Sequence, residues 1–153
     1  MTATTTRPVH ASRAARITAR IAGPGLRALL AAALGVSAYV HADLAPIYDP
    51  IKATVSQGML CRLDAAAASL AALVVLVVGR RSGFALAFVV AASSLGAILL
   101  YRYVNVGQLG PIPNMYEPAW FTEKTIAAVA EAVATVLAAG GLLWEVRKRW
   151  TGH

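Results

Sequence analysis

The sequence predicts an all-α membrane protein, a four transmembrane helix bundle with both termini cytoplasmic. Three observations carry this prediction. Hydrophobic residues are 58% of the 153 and charged ones only 14%, where an ordinary soluble domain carries about a quarter charged. Four apolar runs approach the roughly 20 residues that cross about 30 Å of hydrocarbon. Ten of the fourteen basic residues fall in three segments: Arg7, Arg13, Arg16, Arg20 and Arg27, then Arg80 and Arg81, then Arg147, Lys148 and Arg149. The two other connections hold Lys52, Arg62, Arg102 and Lys124 together with Asp43, Asp49, Asp64, Glu117 and Glu123, and are close to neutral. This alternation is the positive-inside pattern. It explains the net charge of +7 without a nucleic-acid partner. A mean hydropathy of +0.63 excludes a disordered chain, and one cysteine excludes a disulfide-stapled secreted domain.

Each element follows in chain order. Residues 1–25 read as a basic, flexible cytoplasmic tail without an acid, closed by a Gly23-Pro24-Gly25 break before the first span. The spacing of Arg13, Arg16, Arg20 and Arg27 leaves open a basic helix lying on anionic headgroups. The first span is placed at 26–42 and is short. A secretory signal with 26–38 as its apolar region and cleavage after Val40-His41-Ala42 is the alternative, and would leave three spans. The second and third spans are placed at 59–78 and 84–103. The tight turn Gly79-Arg80-Arg81-Ser82-Gly83 between them demands antiparallel neighbours. Residues 105–122 hold two glycines and three prolines, which forbid a continuing helix. That stretch reads as an outer loop seated at headgroup depth by Met115, Tyr116, Trp120 and Phe121, with a lid over a ligand site as the alternative. The fourth span is placed at 123–144, completing a transmembrane domain over 26–146, and 147–153 form a second basic cytoplasmic tail.

Helical phase selects the residues that face inward. At 100° per residue, Ala127, Ala128, Ala134, Thr135 and Ala138 share the face of Glu131, while Ile126, Val129, Val133 and Leu137 lie opposite. Small residues mark close helix approach in lipid, because packing must supply what hydrophobicity does not. In span two Asp64 shares its face with Cys61, Ala67, Ala68 and Ala71, opposite Leu63, Leu70, Val74 and Val77. Tyr101 shares a face with Ser94, Ala97 and Asn105, and His41 sits over Ser37 and Leu34.

An ionised side chain at a helix centre costs roughly 2.5–3.5 kcal/mol on insertion scales, so such residues have a partner or a function. His41, Asp64, Tyr101, Arg102 and Glu131 are therefore the candidate ligand- or ion-binding residues. Glu131 reads either as a packing residue, hydrogen-bonded or protonated, or as a functional one. Arg102 and Lys124 are its candidate counter-charges, although Arg102 can equally snorkel to the interface. A metal would use His41, Asp64 and Glu131, a set suited to a divalent transition ion, but no HxxxH, ExxH or CxxC spacing supports one. Bis-histidine haem is disfavoured because His10 and His153 lie in the tails. Cys61 has no partner for an internal disulfide and reads as a small buried residue.

The stretch His41-Ala42-Asp43-Leu44-Ala45-Pro46 with Tyr48, the run from Tyr101 through Arg102 to Gly110, Glu117-Pro118, and Glu131 in the last span together resemble small uncharacterised four-helix integral membrane proteins of high-GC bacteria. The resemblance covers residues from about 30 to 145. The loop carrying Pro111, Pro113 and Met115 is longer than that family's pattern. What the resemblance implies is architecture, with interest in His41, Arg102 and Glu131, and no reaction.

Two functions remain open. One is a non-enzymatic membrane bundle or accessory subunit, in contact with the lipid bilayer and packing its alanine faces against a homo-oligomeric or membrane-protein partner. The other is a small binding or transport unit for an ion, proton or small polar ligand in the intramembrane polar cluster. No catalytic constellation or cofactor motif is present to point to an enzyme, and the expected location is the cell membrane, multi-pass.

Overall fold

The structure is a computed structural model that describes residues 13–150, with side chains described over 23–147. Four helices follow one another: α1 (Arg13–Tyr48), α2 (Gln57–Val77), α3 (Arg81–Tyr103) and α4 (Thr122–Trp150). All four contain segments long and apolar enough to cross a membrane, namely Gly23–Tyr48, Gln57–Val77, Arg81–Tyr103 and Thr122–Arg147. Each helix packs against its two chain neighbours, with α4 closing back on α1, and α2 and α3 touch least among these pairs. The start of α1, the end of α4 and the 78–80 turn therefore lie toward one end of the bundle, and the 49–56 and 104–121 segments share the other, called here the loop end.

Alanine makes this packing possible. The core is Leu30, Leu34 and Ala38 from α1, Ala68, Ala71 and Val75 from α2, Phe84, Ala87 and Ala91 from α3, and Ala134 and Ala138 from α4. A methyl at most crossing points lets the helix backbones approach closely, where dispersion contacts are greatest. The outward side carries Leu63, Leu70, Val77, Val89, Val129 and Val136, all exposed. So broad an apolar girdle suits contact with lipid rather than with water.

The first helix departs from expectation. Gly23-Pro24-Gly25 does not break it, and Pro24 and Pro46 both lie inside α1. Proline holds a φ that suits a helix and costs one backbone donor and a displaced carbonyl one turn back, so the helix continues through it. Residues 1–12 and 151–153, including Arg7, His10 and His153, lie outside the described residues, as do the side chains of Arg13, Arg16 and Arg20.

Arg27 has a role the charge pattern alone does not disclose. Its Nε donates to the Val75 carbonyl at 2.9 Å, and its Nη2 donates to the Leu76 carbonyl. These belong to the last turn of α2, whose carbonyls lack helical partners and attract positive charge. Gly79 adopts φ +53° just beyond, and a Cβ there would overlap the Arg27 guanidinium. At the loop end, Ser56 caps α2 by accepting from Met59 N at 3.0 Å. Asp49 accepts from Ser56 Oγ at 3.2 Å and from both terminal nitrogens of Arg62, at 2.8 and 2.6 Å. The bidentate bond from Arg62 holds the Asp49 carboxyl below the usual carboxylate range. Gly58 allows the approach of α1 and α2 beneath this knot, since a Cβ there would strike the Ala45 carbonyl and the Asp49 carboxylate.

Candidate functional site

Glu131 lies in the middle of α4 and is only 1% exposed. Its Oε1 accepts two hydroxyls, Ser94 Oγ at 2.7 Å from α3 and Ser37 Oγ at 3.0 Å from α1. Its Oε2 is buried with no hydrogen-bond partner. The serine bonds follow from position. A helical serine can return its hydroxyl to its own backbone, as Ser93 does with the Val89 and Val90 carbonyls at 2.7 and 3.0 Å. Ser94, one residue on, faces inward and gives its hydroxyl to Glu131 instead.

His41 stands one turn beyond Ser37 on α1. Its Nδ1 lies 3.0 Å from the Ser37 carbonyl and 3.4 Å from the Ser37 hydroxyl. It also lies 3.3 Å from Asp64 Oδ2 and 3.7 Å from Glu131 Oε1. Surrounded by oxygen acceptors, Nδ1 carries a proton, and in the neutral ring this leaves the lone pair on Nε2. The Asp64 contact is a close approach rather than a formed hydrogen bond, since Oδ2 is buried without a hydrogen-bond partner, and it becomes an ion pair only when the ring carries a second proton. Taking one donor atom from each of His41, Asp64 and Glu131, the three lie within 4.8 Å of one another. Three helices thus deliver an imidazole and two carboxylates to one point, and serines from α1 and α3 orient Glu131.

His41, Asp64 and Ser94 line a cavity of about 410 Å³ in the loop half of the bundle, and Glu131, bonded to Ser94, lies just outside that lining. Its walls are mainly apolar, including Leu44, Leu60, Ile98 and Tyr101, with Cys61 and Asp64 on the α2 side. The 104–121 segment supplies Ile112, Met115, Glu117 and Phe121 to the lining. Met115 and Phe121 therefore turn at least partly inward, where the sequence places them in an outward aromatic belt. Two loop contacts help set this course: Val55 N bonds the Pro111 carbonyl at 3.1 Å, and Glu117 N bonds the Tyr101 carbonyl at 3.0 Å. Tyr116 and Trp120 remain exposed, as an interfacial seat requires.

Of the five sequence candidates, His41, Asp64 and Glu131 meet, and Tyr101 lines the cavity above them. Arg102 does not pair with Glu131: among the described residues the only basic side chain within 4.0 Å of its carboxyl is His41, at 3.7 Å. Arg102 stands eight residues beyond Ser94, about 12 Å along the helix at 1.5 Å per residue. Its guanidinium lies 5.1 Å from the Tyr103 ring and 5.5 Å from the Trp120 ring, and its Nε is buried without a hydrogen-bond partner. Lys124, the other proposed counter-charge, lines the cavity but is two turns from Glu131. Its ammonium bonds the Glu117 carbonyl at 2.5 Å and the Ala119 carbonyl at 3.4 Å and sits over Trp120 and Phe121. Ser37 and Ser94 were visible in the sequence as face-mates of His41 and Tyr101, yet nothing in one sequence assigns their hydroxyls to Glu131.

Comparison of the chain with protein-family models, with curated proteins and with solved structures returns no match. Function rests on the site alone.

Proposed function

We propose that the protein is a multi-pass protein of the cell membrane, with both termini cytoplasmic, that binds a positively charged solute in the cavity at its loop end. The observation that carries this reading is a pair of carboxyl groups beside an imidazole with no lysine or arginine next to them. Glu131 and Asp64 lie together, each with an oxygen that lacks a hydrogen-bond partner, and among the described residues neither has a lysine or arginine within ion-pair distance. Among the described residues Lys124 is the one lysine or arginine on the cavity wall, and backbone carbonyls already hold it. Carboxyl groups at and behind the wall of a low-dielectric cavity, when ionised, attract cations and repel anions. The alternation of basic segments supports the loop end facing outward, so the cavity would receive its solute from outside the cell.

Cys61, the sole cysteine of the chain, lies on the wall beside Asp64 and is a built-in probe. Two membrane-impermeant methanethiosulfonates of similar size, one carrying a trimethylammonium and one a sulfonate, would each form a mixed disulfide with it and release a sulfinate. Their rate ratio, divided by the ratio for a small free thiol, cancels intrinsic reactivity and reports the local potential. In intact cells the cationic reagent is expected to react faster by about tenfold or more, the lower range of electrostatic focusing. Asp64→Asn and Glu131→Gln should each move the ratio toward one. A ratio near one in the parent would refute the cation preference, and reaction confined to inside-out vesicles would refute the orientation.

A further inference from the structure

We infer, building on the cation-binding function proposed above, that the cation is a divalent transition-metal ion held by His41, Asp64 and Glu131. Four features of the cluster converge on this class of ligand. The donor set is one imidazole and two carboxylates whose donor atoms already lie within 4.8 Å of one another. Bonds of about 2.0–2.2 Å to one ion place tetrahedral neighbours roughly 3.4 Å apart, so small rotations of the Asp64 and His41 side chains suffice to gather them. Calcium takes six to eight oxygens, and magnesium keeps a near-ideal octahedron rich in water and phosphate oxygen. An imidazole beside two carboxylates instead suits zinc, cobalt, iron or manganese.

The supporting contacts orient the donors. Nδ1 of His41 is the ring nitrogen set against the carboxylates, 3.3 Å from Asp64 Oδ2 and 3.7 Å from Glu131 Oε1. An ion bound there replaces the Nδ1 proton and its contact with the Ser37 carbonyl at 3.0 Å, and the ring N–H then lies on Nε2. Glu131 is held by hydroxyls, as outer partners hold metal ligands: Ser37 and Ser94 occupy Oε1, and the buried, unpartnered Oε2 is the free donor.

Charge and access complete the case. A 2+ ion beside two carboxylates and a neutral imidazole makes a site of zero net charge, the state least penalised in a low-dielectric bundle. Three protein ligands leave a coordination position open, and the cavity supplies the space in which water or a solute ligand would complete the sphere. An acidic cluster at a surface would have none of this. Glu131 is 1% exposed, and its free oxygen has no other source of compensation among the described residues.

The test uses the full-length protein purified in detergent, stripped with a chelator and titrated with Co²⁺. Equilibrium dialysis would read stoichiometry, and visible d–d absorption would read coordination by nitrogen and oxygen. The expected result is one saturable Co²⁺ per chain, displaced by Zn²⁺. Glu131→Gln, Asp64→Asn and His41→Asn should each weaken binding by at least about tenfold. Ser94→Ala should weaken it by about 10–100-fold, the usual cost of losing an outer partner. Glu117→Gln, on the cavity wall but outside the cluster, should change affinity by less than about twofold. Absence of saturable binding in the parent, or binding indifferent to all three ligand substitutions, would overturn the metal assignment. The Cys61 reagent ratio, measured on the same samples, separates the two readings. If Co²⁺ fails to bind while the ratio still depends on Asp64 and Glu131, the metal is wrong and the cation-binding cavity stands. If the ratio is flat as well, both fall.

Discussion

A Glu131→Gln variant is expected to melt at or above the temperature of the parent in metal-free detergent, and to lose all stabilisation by Co²⁺. Glutamine keeps an oxygen for the hydroxyls of Ser37 and Ser94, which now bond Oε1 at 3.0 and 2.7 Å. Its amide NH₂ replaces the unpartnered Oε2 and can donate to Asp64 Oδ2, which also lacks a hydrogen-bond partner. No bonded acceptor is lost and the side chain can no longer carry a charge into the bundle, so the folded state should not suffer. In the parent, a ligand at one hundred times its Kd stabilises by about 2.7 kcal/mol. That corresponds to roughly 5–10 °C in Tm for a chain of about this length. The glutamine variant should show no such rise. Glu131→Leu should melt below the glutamine variant, because it deprives both serines of their acceptor, at about 1–3 kcal/mol for a buried group left unmade. The difference will be smaller if the serines turn back to their own helices. Should both variants match the parent in metal-free Tm and in Co²⁺ response, Glu131 has neither the structural nor the ligand role assigned to it.

Much of this site was legible because helical period and residue size say the same thing. Glu131 and the alanines on its face define one side of α4, and Asp64 with Ala68 and Ala71 defines one side of α2. The structure buries Ala127, Ala134 and Ala138 of α4 and Ala68 and Ala71 of α2, and exposes Leu63, Leu70, Val129 and Val133 opposite them, while Ala128, Val74 and Leu137 are half-buried. His41, Asp64 and Glu131 could thus be nominated together, although their meeting depends on helix rotation and depth that no single sequence contains. Arg102 shows where phase fails. It begins from the same helix as Ser94, but an arginine near a helix end has reach enough to choose a partner, and the rings of Tyr103 and Trp120 take its guanidinium. Gly23-Pro24-Gly25 misleads for another reason: local propensity favours a break by a few kcal/mol, and the structure runs α1 through it regardless. The inward turn of Met115 and Phe121 was hidden because proline-rich backbone has no period from which to read a side.

Replacing Ala134 by leucine is expected to cost more than any outward substitution on the same helix. Ala134 is wholly buried in the core cluster, one turn from Glu131 toward the termini. Three added carbons have no space there, and overpacking a tight core typically costs 1–3 kcal/mol. The cost should sit at the high end, because helix backbones must separate to admit the branch and the gap would extend to the bonds from Ser37 and Ser94 to Glu131. Val136→Leu, on the exposed side of the same helix, should remain within about 0.5 kcal/mol of the parent. Thermal unfolding followed by size-exclusion chromatography in detergent reads both. Equal Tm values for Ala134→Leu and the parent would mean that the alanine face of α4 does not pack against its neighbours.

The most direct measurement of the central claim is an anomalous difference map, collected at the cobalt edge from crystals of the Co²⁺-loaded protein. The arrangement of His41, Asp64 and Glu131 predicts one peak per chain, about 2.0–2.2 Å from a nitrogen of His41 and from a carboxylate oxygen of each acid, with its open side toward the cavity beneath Met115 and Phe121. A peak elsewhere on the chain, with these three side chains unmoved and nothing bound between them, would contradict it.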